Sequence, residues 1–231
     1  MNQVDIHNNN YLHFIKQFFV FILLLICFQL IGSIFSLIYS QAALFLAVNR
    51  LHNDTADEIF MLITHLGDWP VTFGISILCL FIRFKYSLVL LATMLYTGFF
   101  TQVIKLIVQH PRPSIYFENI TPIYTIKNYV LQNSLSFPSG HTTCVFSLAI
   151  TLSYIMASKN KQALFFLIAL IVALSRVYLS QHFFKDLLAG SLIGTFFALH
   201  LLWLFERSNW YHSPLLKKNI MTIRHGNKSV S

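Results

Sequence analysis

Apolar residues fall in six blocks along the chain, at 18–39, 69–82, 86–108, 142–157, 162–179 and 183–205, parted by short polar or basic stretches. The longer blocks match the ~20 residues that an α-helix needs to cross the hydrocarbon core of a bilayer. Their boundaries carry helix-breaking signals: Gly67 before the second block and Pro70 at its start, Pro111 and Pro113 after the third, and the basic turn SKNK after the fourth. Residues 41–65 mix apolar positions with Arg50, Asp54, Asp57 and Glu58, a pattern that suits an amphipathic segment lying in the interface better than a crossing. The second block is short for a span unless residues before Pro70 join it. The pattern predicts an all-α fold, a six-span transmembrane helix bundle with an interfacial segment between spans 1 and 2, forming one domain over residues 1–231. There is no internal repeat. The polar head MNQVDIHNNN precedes an apolar run longer than the ~7–15 residues of a signal-peptide core, so the first block is expected to stay as a span.

Composition agrees with that solvent assignment. Hydrophobic residues make up 56% of the chain and charged ones 10%, and the mean hydropathy is +0.64, too apolar for an ordinary soluble domain. A net charge of +8 would suggest nucleic acid as the partner of a soluble protein; here the cations sit between apolar blocks, where topology accounts for them and no nucleic acid is expected. Six spans put both termini on one side. Lys16, Arg83, Lys85, Lys159, Lys161, Arg207, Lys217, Lys218, Arg224 and Lys228 lie there, against Arg50, Lys105, Arg112, Lys127, Arg176 and Lys185 on the other. The positive-inside rule then predicts cytoplasmic termini in a bacterial inner membrane, with the opposite surface facing a periplasm or the exterior. Cys27, Cys79 and Cys144 fall in apolar stretches and read as small hydrophobes.

The unusual polar residues gather on that opposite surface, although four segments supply them. Lys105 ends the third block and Arg112 follows it; Ser139, Gly140 and His141 open the fourth; Ser175 and Arg176 close the fifth; His182 and Asp186 open the sixth. Interfacial anchoring or capping would explain any one of them, but charges gathered near membrane depth are costly and mark function. The stretch PSGH reads as a helix start whose first N–H groups point outward, a place that attracts an oxyanion. Lys105, Arg112 and Arg176 supply positive charge for a phosphate, the arginines through a planar fork. His182 and Asp186, four apart, share a helix face if the helix begins early enough, so the carboxylate can hold one ring nitrogen and leave the other as nucleophile or base. His141 has no sequence partner and suits a general acid.

The segments KLIVQHPRP, PSGH and SRVYLSQHFFKD resemble the three-part signature of the type 2 phosphatidic acid phosphatase family, which includes bacterial lipid phosphatases and the related vanadate-dependent haloperoxidases. The match covers Lys105, Arg112, Pro113, Pro138, Ser139, Gly140, His141, Ser175, Arg176, His182 and Asp186. The resemblance implies that His182 attacks phosphorus to form a phosphohistidine, that Asp186 orients it, and that His141 protonates the leaving group. It further implies phosphate binding by Lys105, Arg112, Ser139, Gly140 and Arg176, with no metal or other cofactor. The expected partner is a phospholipid or polyprenyl phosphate in the bilayer. Undecaprenyl diphosphate or a broad set of lipid phosphates, such as phosphatidylglycerol phosphate, leads, with lipid A as the alternative. A phosphotransferase is the harder alternative to separate. A transporter would spread its charges through the midplane, and a haem protein would face histidines across helices at depth.

Other features read as structure. Gly190, Gly194 and Ala198 form a small-residue seam for close helix packing, and His200 reads as a satisfied intramembrane histidine. His65 and His110 flank the polar face; Trp203, Trp210 and Tyr211 read as an interfacial belt and the phenylalanines as lipid-facing bulk. The polar loop 114–137 carries no signature.

Overall fold

A computed structural model describes residues 10–127, 129–133 and 135–222. Residues 1–9 of the polar head, Asn128 and Ser134 of the polar loop, and Arg224 and Lys228 of the basic count lie outside the described residues. The described chain is helical, without strands. A short α1 (Tyr11–Lys16) leads into α2 (Phe19–Ile38), then α3 (Gln41–Asn49), α4 (Asp54–Thr64), a 3₁₀ turn at His65–Gly67, α5 (Trp69–Leu80) and α6 (Phe84–Val108). The one-turn α7 (Pro113–Tyr116) opens the long loop, and α8 (Gly140–Met156), α9 (Lys159–Tyr178) and α10 (Phe184–Glu206) complete the bundle.

Four of these segments are long and apolar enough to cross a membrane: α2, residues 84–116, α9 and α10. A fifth forms if α4 and α5 count as one span bent by 54°. The expected sixth, α8, has only 17 residues. It occupies the centre of the bundle, against α5, α6, α9 and α10, and most of its side chains are buried. The expected interfacial segment is helical, and one of its charges turns inward. Residues 41–65 fold into two helices packed on α9, and Asp57, read as an interfacial charge, is buried. Its carboxylate accepts hydrogen bonds from the Tyr178 and Tyr124 hydroxyls, at 2.7 and 2.9 Å, and pairs with His52 Nδ1 at 2.7 Å. The two tyrosines lie 67 and 121 residues along the chain, so periodicity alone reads the aspartate as solvated.

Polar side chains tie the spans together where lipid offers no competing water. Gln29 donates from α2 to Ser191 of α10 at 2.8 Å, Ser76 and Ser87 meet at 2.8 Å between α5 and α6, and Thr93 and Thr151 meet at 3.1 Å between α6 and α8. His200 is satisfied by the Tyr96 hydroxyl at 3.0 Å. Two readings need correction. Tyr211 is fully buried rather than interfacial, hydrogen-bonded to Tyr154 and covered by the Lys85 ammonium 3.9 Å from its ring. Several phenylalanines, among them Phe21, Phe45, Phe146, Phe166 and Phe183, build the core instead of facing lipid.

The glycine seam is where α8 and α10 come together. A Cβ on Gly190 would stand 2.8 Å from the Ser139 carbonyl oxygen, and one on Gly194 would stand 2.4 Å from that of Thr143. Both obstacles are backbone, so neither can swing aside. Gly194→Val should therefore force the two helices apart and cost ~1–3 kcal/mol or more, read as a lowered melting temperature in detergent. Unchanged stability would show that the seam yields freely.

Candidate active site

The C-terminal end of α6, the start of α8, the end of α9 and the start of α10 meet at one end of the bundle. There the backbone turns at Ser180, whose φ is +58°, and the amides of Gln181 and His182 both donate to the Arg176 carbonyl. This tight exit from α9 carries His182 back into the interior, where it is 1% exposed. His182 precedes α10, so it does not share a helix face with Asp186 as expected. Asp186 instead sits in the first turn and reaches back, its Oδ2 accepting the Phe183 amide at 3.0 Å in the manner of a carboxylate at a helix N-terminus. The same oxygen lies 3.3 Å from His182 Nδ1. Burial, helped by the charges of Arg112 and Arg176 and opposed by Asp186, pushes the His182 imidazole down to about 3. The ring is thus neutral near pH 7, with Nδ1 held and Nε2 free of the carboxylate.

Ser136 completes this arrangement and has no place in the sequence motifs. Its hydroxyl donates to Asp186 Oδ2 at 2.5 Å and stands 3.2 Å from His182 Nδ1. Its amide donates to the His110 carbonyl, while its own carbonyl and that of Leu135 accept from Lys105 Nζ at 3.2 and 2.7 Å. A serine in a loop without periodicity carries no sequence signal; its role comes from the fold that brings 136 and 186 together.

His182 Nε2 faces a cavity of about 280 Å³ lined by Lys105, Arg112, Gln132, Gly140, His141 and His182 among others. Arg112 is buried and braced: Nη1 donates to the carbonyl and side-chain oxygens of Gln181, each at 3.0 Å, and Nη2 to Gln132 Oε1 at 3.0 Å. Nη1 also lies 3.4 Å from His182 Nε2. A group that binds the guanidinium here is therefore brought close to His182 Nε2. Neither glutamine was anticipated. Gly140 opens α8 with nothing within 4 Å of where a Cβ would sit, which leaves the first amides of the helix room for an oxyanion.

Two expected phosphate ligands stand elsewhere in the structure. Ser139 is the N-cap of α8, its hydroxyl accepting from the Thr142 amide and hydroxyl at 3.4 and 3.0 Å, and α8 begins at Gly140 rather than at Pro138. Arg176 is buried and donates to Thr64 Oγ1 at 2.5 Å and to the Tyr129 hydroxyl at 3.3 Å. Among the described residues neither lines the cavity. The Nε of Arg176 nonetheless has no partner among the described residues, and its charge acts on Arg112 and His182.

His141 also lines the cavity and is not unpaired: its Nε2 lies 2.6 Å from Asp68 Oδ1. His65 holds the other carboxylate oxygen, Nδ1 to Oδ2 at 2.8 Å. His110, the second flanking histidine, contacts Lys185 Nζ at 2.7 Å instead. Among the described residues no group of three His, Cys, Asp or Glu side chains could hold a metal ion.

Comparison with known proteins places these features among relatives. The model of the PAP2 superfamily matches residues 86–210, which hold Lys105, Arg112, His141, His182 and Asp186. The lipid A 4'-phosphatase of Porphyromonas gingivalis is 27% identical over 176 residues, 72% of this chain and 74% of that protein. The bacitracin transport permease protein BcrC of Bacillus licheniformis is 29% identical over 101 residues, 42% of this chain and 49% of that protein. Among solved structures, LpxE of Aquifex aeolicus superposes with a TM-score of 0.62 at 27% identity, covering 70% of this chain and 93% of that one. A PAP2 type phosphatidylglycerolphosphate phosphatase of Bacillus subtilis superposes with a TM-score of 0.59 at 24% identity, covering 80% and 94%, a likeness in fold.

Proposed function

The chain belongs to the PAP2 superfamily, and from that premise we propose that it is a metal-independent membrane lipid phosphatase acting through a phosphohistidine. The observation that carries this reading is His182, its Nδ1 held between Asp186 and Ser136 and its Nε2 facing a cavity with Arg112 and Lys105. Nε2 attacks phosphorus as the ester P–O bond breaks. The departing lipid oxygen takes a proton from His141. A water then attacks the phosphohistidine, gives its proton to His141, and frees inorganic phosphate and His182. Arg112 and Lys105 neutralise the equatorial oxygens throughout, the task that metal ions perform in other phosphoryl transfers. Arg176 strengthens the local field from beside Thr64.

The substrate is a lipid phosphate monoester, and lipid A is the class favoured by the similarity to the Porphyromonas gingivalis protein over 72% of this chain. The active-site end of the bundle faces away from the cytoplasm, because the cations concentrate at the other end. Phosphate release by purified protein in excess EDTA, measured on lipid A, undecaprenyl diphosphate, phosphatidylglycerol phosphate and phosphatidic acid, tests both points. Release from lipid A above the others is expected. Preference for undecaprenyl diphosphate would reverse the substrate assignment, and activity that needs added magnesium would overturn the mechanism.

The two histidines separate by leaving group. His141→Ala should lose ~10²–10⁴-fold on a lipid phosphate, whose alkoxide needs a proton, and recover most of that deficit on p-nitrophenyl phosphate, whose anion departs unaided. Equal losses on both esters would remove the general-acid role from His141.

A further inference from the structure

Asp68 stands outside every signature segment, at the N-cap of α5, where an aspartate ordinarily accepts a hydrogen bond from the first helical amides. It does not: no side-chain cap bond forms, and both oxygens are turned outward, to His141 and His65. The turn that delivers it, His65–Gly67, packs directly on the start of α8. A Cβ on Gly67 would stand 3.3 Å from the Cβ and 3.3 Å from the carbonyl oxygen of His141, and 3.0 Å from Val172. The turn before α5 thus packs closely against His141 and places a carboxylate at the contact.

Building on the proposed phosphatase reading, we infer that Asp68 is a positioning residue for His141, the counterpart on the leaving-group side of Asp186 on the nucleophile side. A carboxylate oxygen 2.6 Å from Nε2 favours the protonated form of the imidazole and fixes the plane of the ring. With Nε2 held by Asp68, Nδ1 is the ring nitrogen left to serve the departing lipid oxygen and, in the second half-reaction, the attacking water. The assignment gives the site two carboxylate–histidine pairs, His182 with Asp186 and His141 with Asp68, facing one another across the phosphate cavity. His65 occupies the second oxygen of Asp68 from a largely exposed position, 69% accessible, and keeps the carboxylate from turning back to cap α5.

The test is a double-mutant cycle. Wild type, Asp68→Asn, His141→Ala and the double variant are assayed on phosphatidic acid and on p-nitrophenyl phosphate, with folding followed by thermal melting. Asparagine keeps the size of the side chain and an accepting oxygen but not the charge, so a purely packing role would be spared. Asp68→Asn should lower kcat on phosphatidic acid ~10–100-fold, part of the general-acid contribution, with KM little changed. It should leave p-nitrophenyl phosphate nearly at the wild-type rate and add little to His141→Ala. Equal losses on the two esters, no loss on either, or a loss that multiplies undiminished onto His141→Ala would overturn the inference. Should His141→Ala itself prove indifferent to leaving group, the general-acid reading falls, while the cycle still decides whether Asp68 acts through His141. If Asp68→Asn melts early, Asp68→Ser supplies a capping oxygen without the charge and gives the same readout.

Discussion

His182→Ala should retain no more than ~10⁻⁴ of the wild-type rate on any phosphate ester, activated or not, because removing a covalent nucleophile removes the pathway itself. No neighbour can replace it. Lys105 is a cation tied to two carbonyls, and the Ser136 hydroxyl is buried with its proton committed to Asp186. The variant should also fail to form the acid-labile labelled intermediate expected of wild type quenched during turnover. Losing the imidazole leaves Asp186 with Ser136 and the Phe183 amide as partners, so the fold should survive a penalty of ~1–3 kcal/mol, checked by melting. The wild-type pH profile carries a companion expectation. Because burial pushes the His182 ring down to about 3, the nucleophile stays unprotonated as pH falls from 7 to 5, and activity lost across that range reports another group. Residual turnover by His182→Ala on p-nitrophenyl phosphate would require a direct attack by water and end the covalent mechanism.

Lys105, Arg112, Gly140, His141 and His182, which line the cavity, were legible in the sequence because their chemistry is local. Glycine and histidine at the start of an apolar run, or cations at the end of one, advertise an anion site without knowledge of the fold. The residues that support them were not. Ser136 and Gln132 lie in a loop with no periodicity, Gln181 in a turn set by the positive φ of Ser180, and Asp68 contacts His141 across a long stretch of chain. Each is recognisable only once helices meet. Length and apolarity give four or five spans rather than six for a related reason. Block length was read against the thickness of a bilayer, whereas α8 is walled by other helices and can be shorter. Within the mixed segment 41–65, Asp57 reads as solvated because its partners come from the fold; two tyrosines and a histidine take the place of water.

Arg112→Lys should cost ~10²–10³-fold in kcat/KM, the range for removing a preorganised donor to developing charge, even though the positive charge is kept. The guanidinium uses its shape. Nη1 is anchored by Gln181 and Nη2 by Gln132 while Nη1 still reaches toward His182 Nε2, a division of labour that a single ammonium cannot reproduce. A lysine would leave Gln132 Oε1 or Gln181 Oε1 without its donor and place the charge off the line of attack. Since Arg112 acts on the phosphoryl group and not on the leaving oxygen, the loss should be the same on phosphatidic acid and on p-nitrophenyl phosphate, in contrast to His141→Ala. Vanadate gives an independent reading, because its trigonal-bipyramidal form occupies the geometry of the transferring phosphoryl group. Its inhibition constant should rise by about the same factor as kcat/KM falls, as expected for an interaction made in the transition state. A fall in kcat/KM with unchanged vanadate affinity would mean that Arg112 holds the loop in place through Gln132 and Gln181 without touching the reacting phosphate.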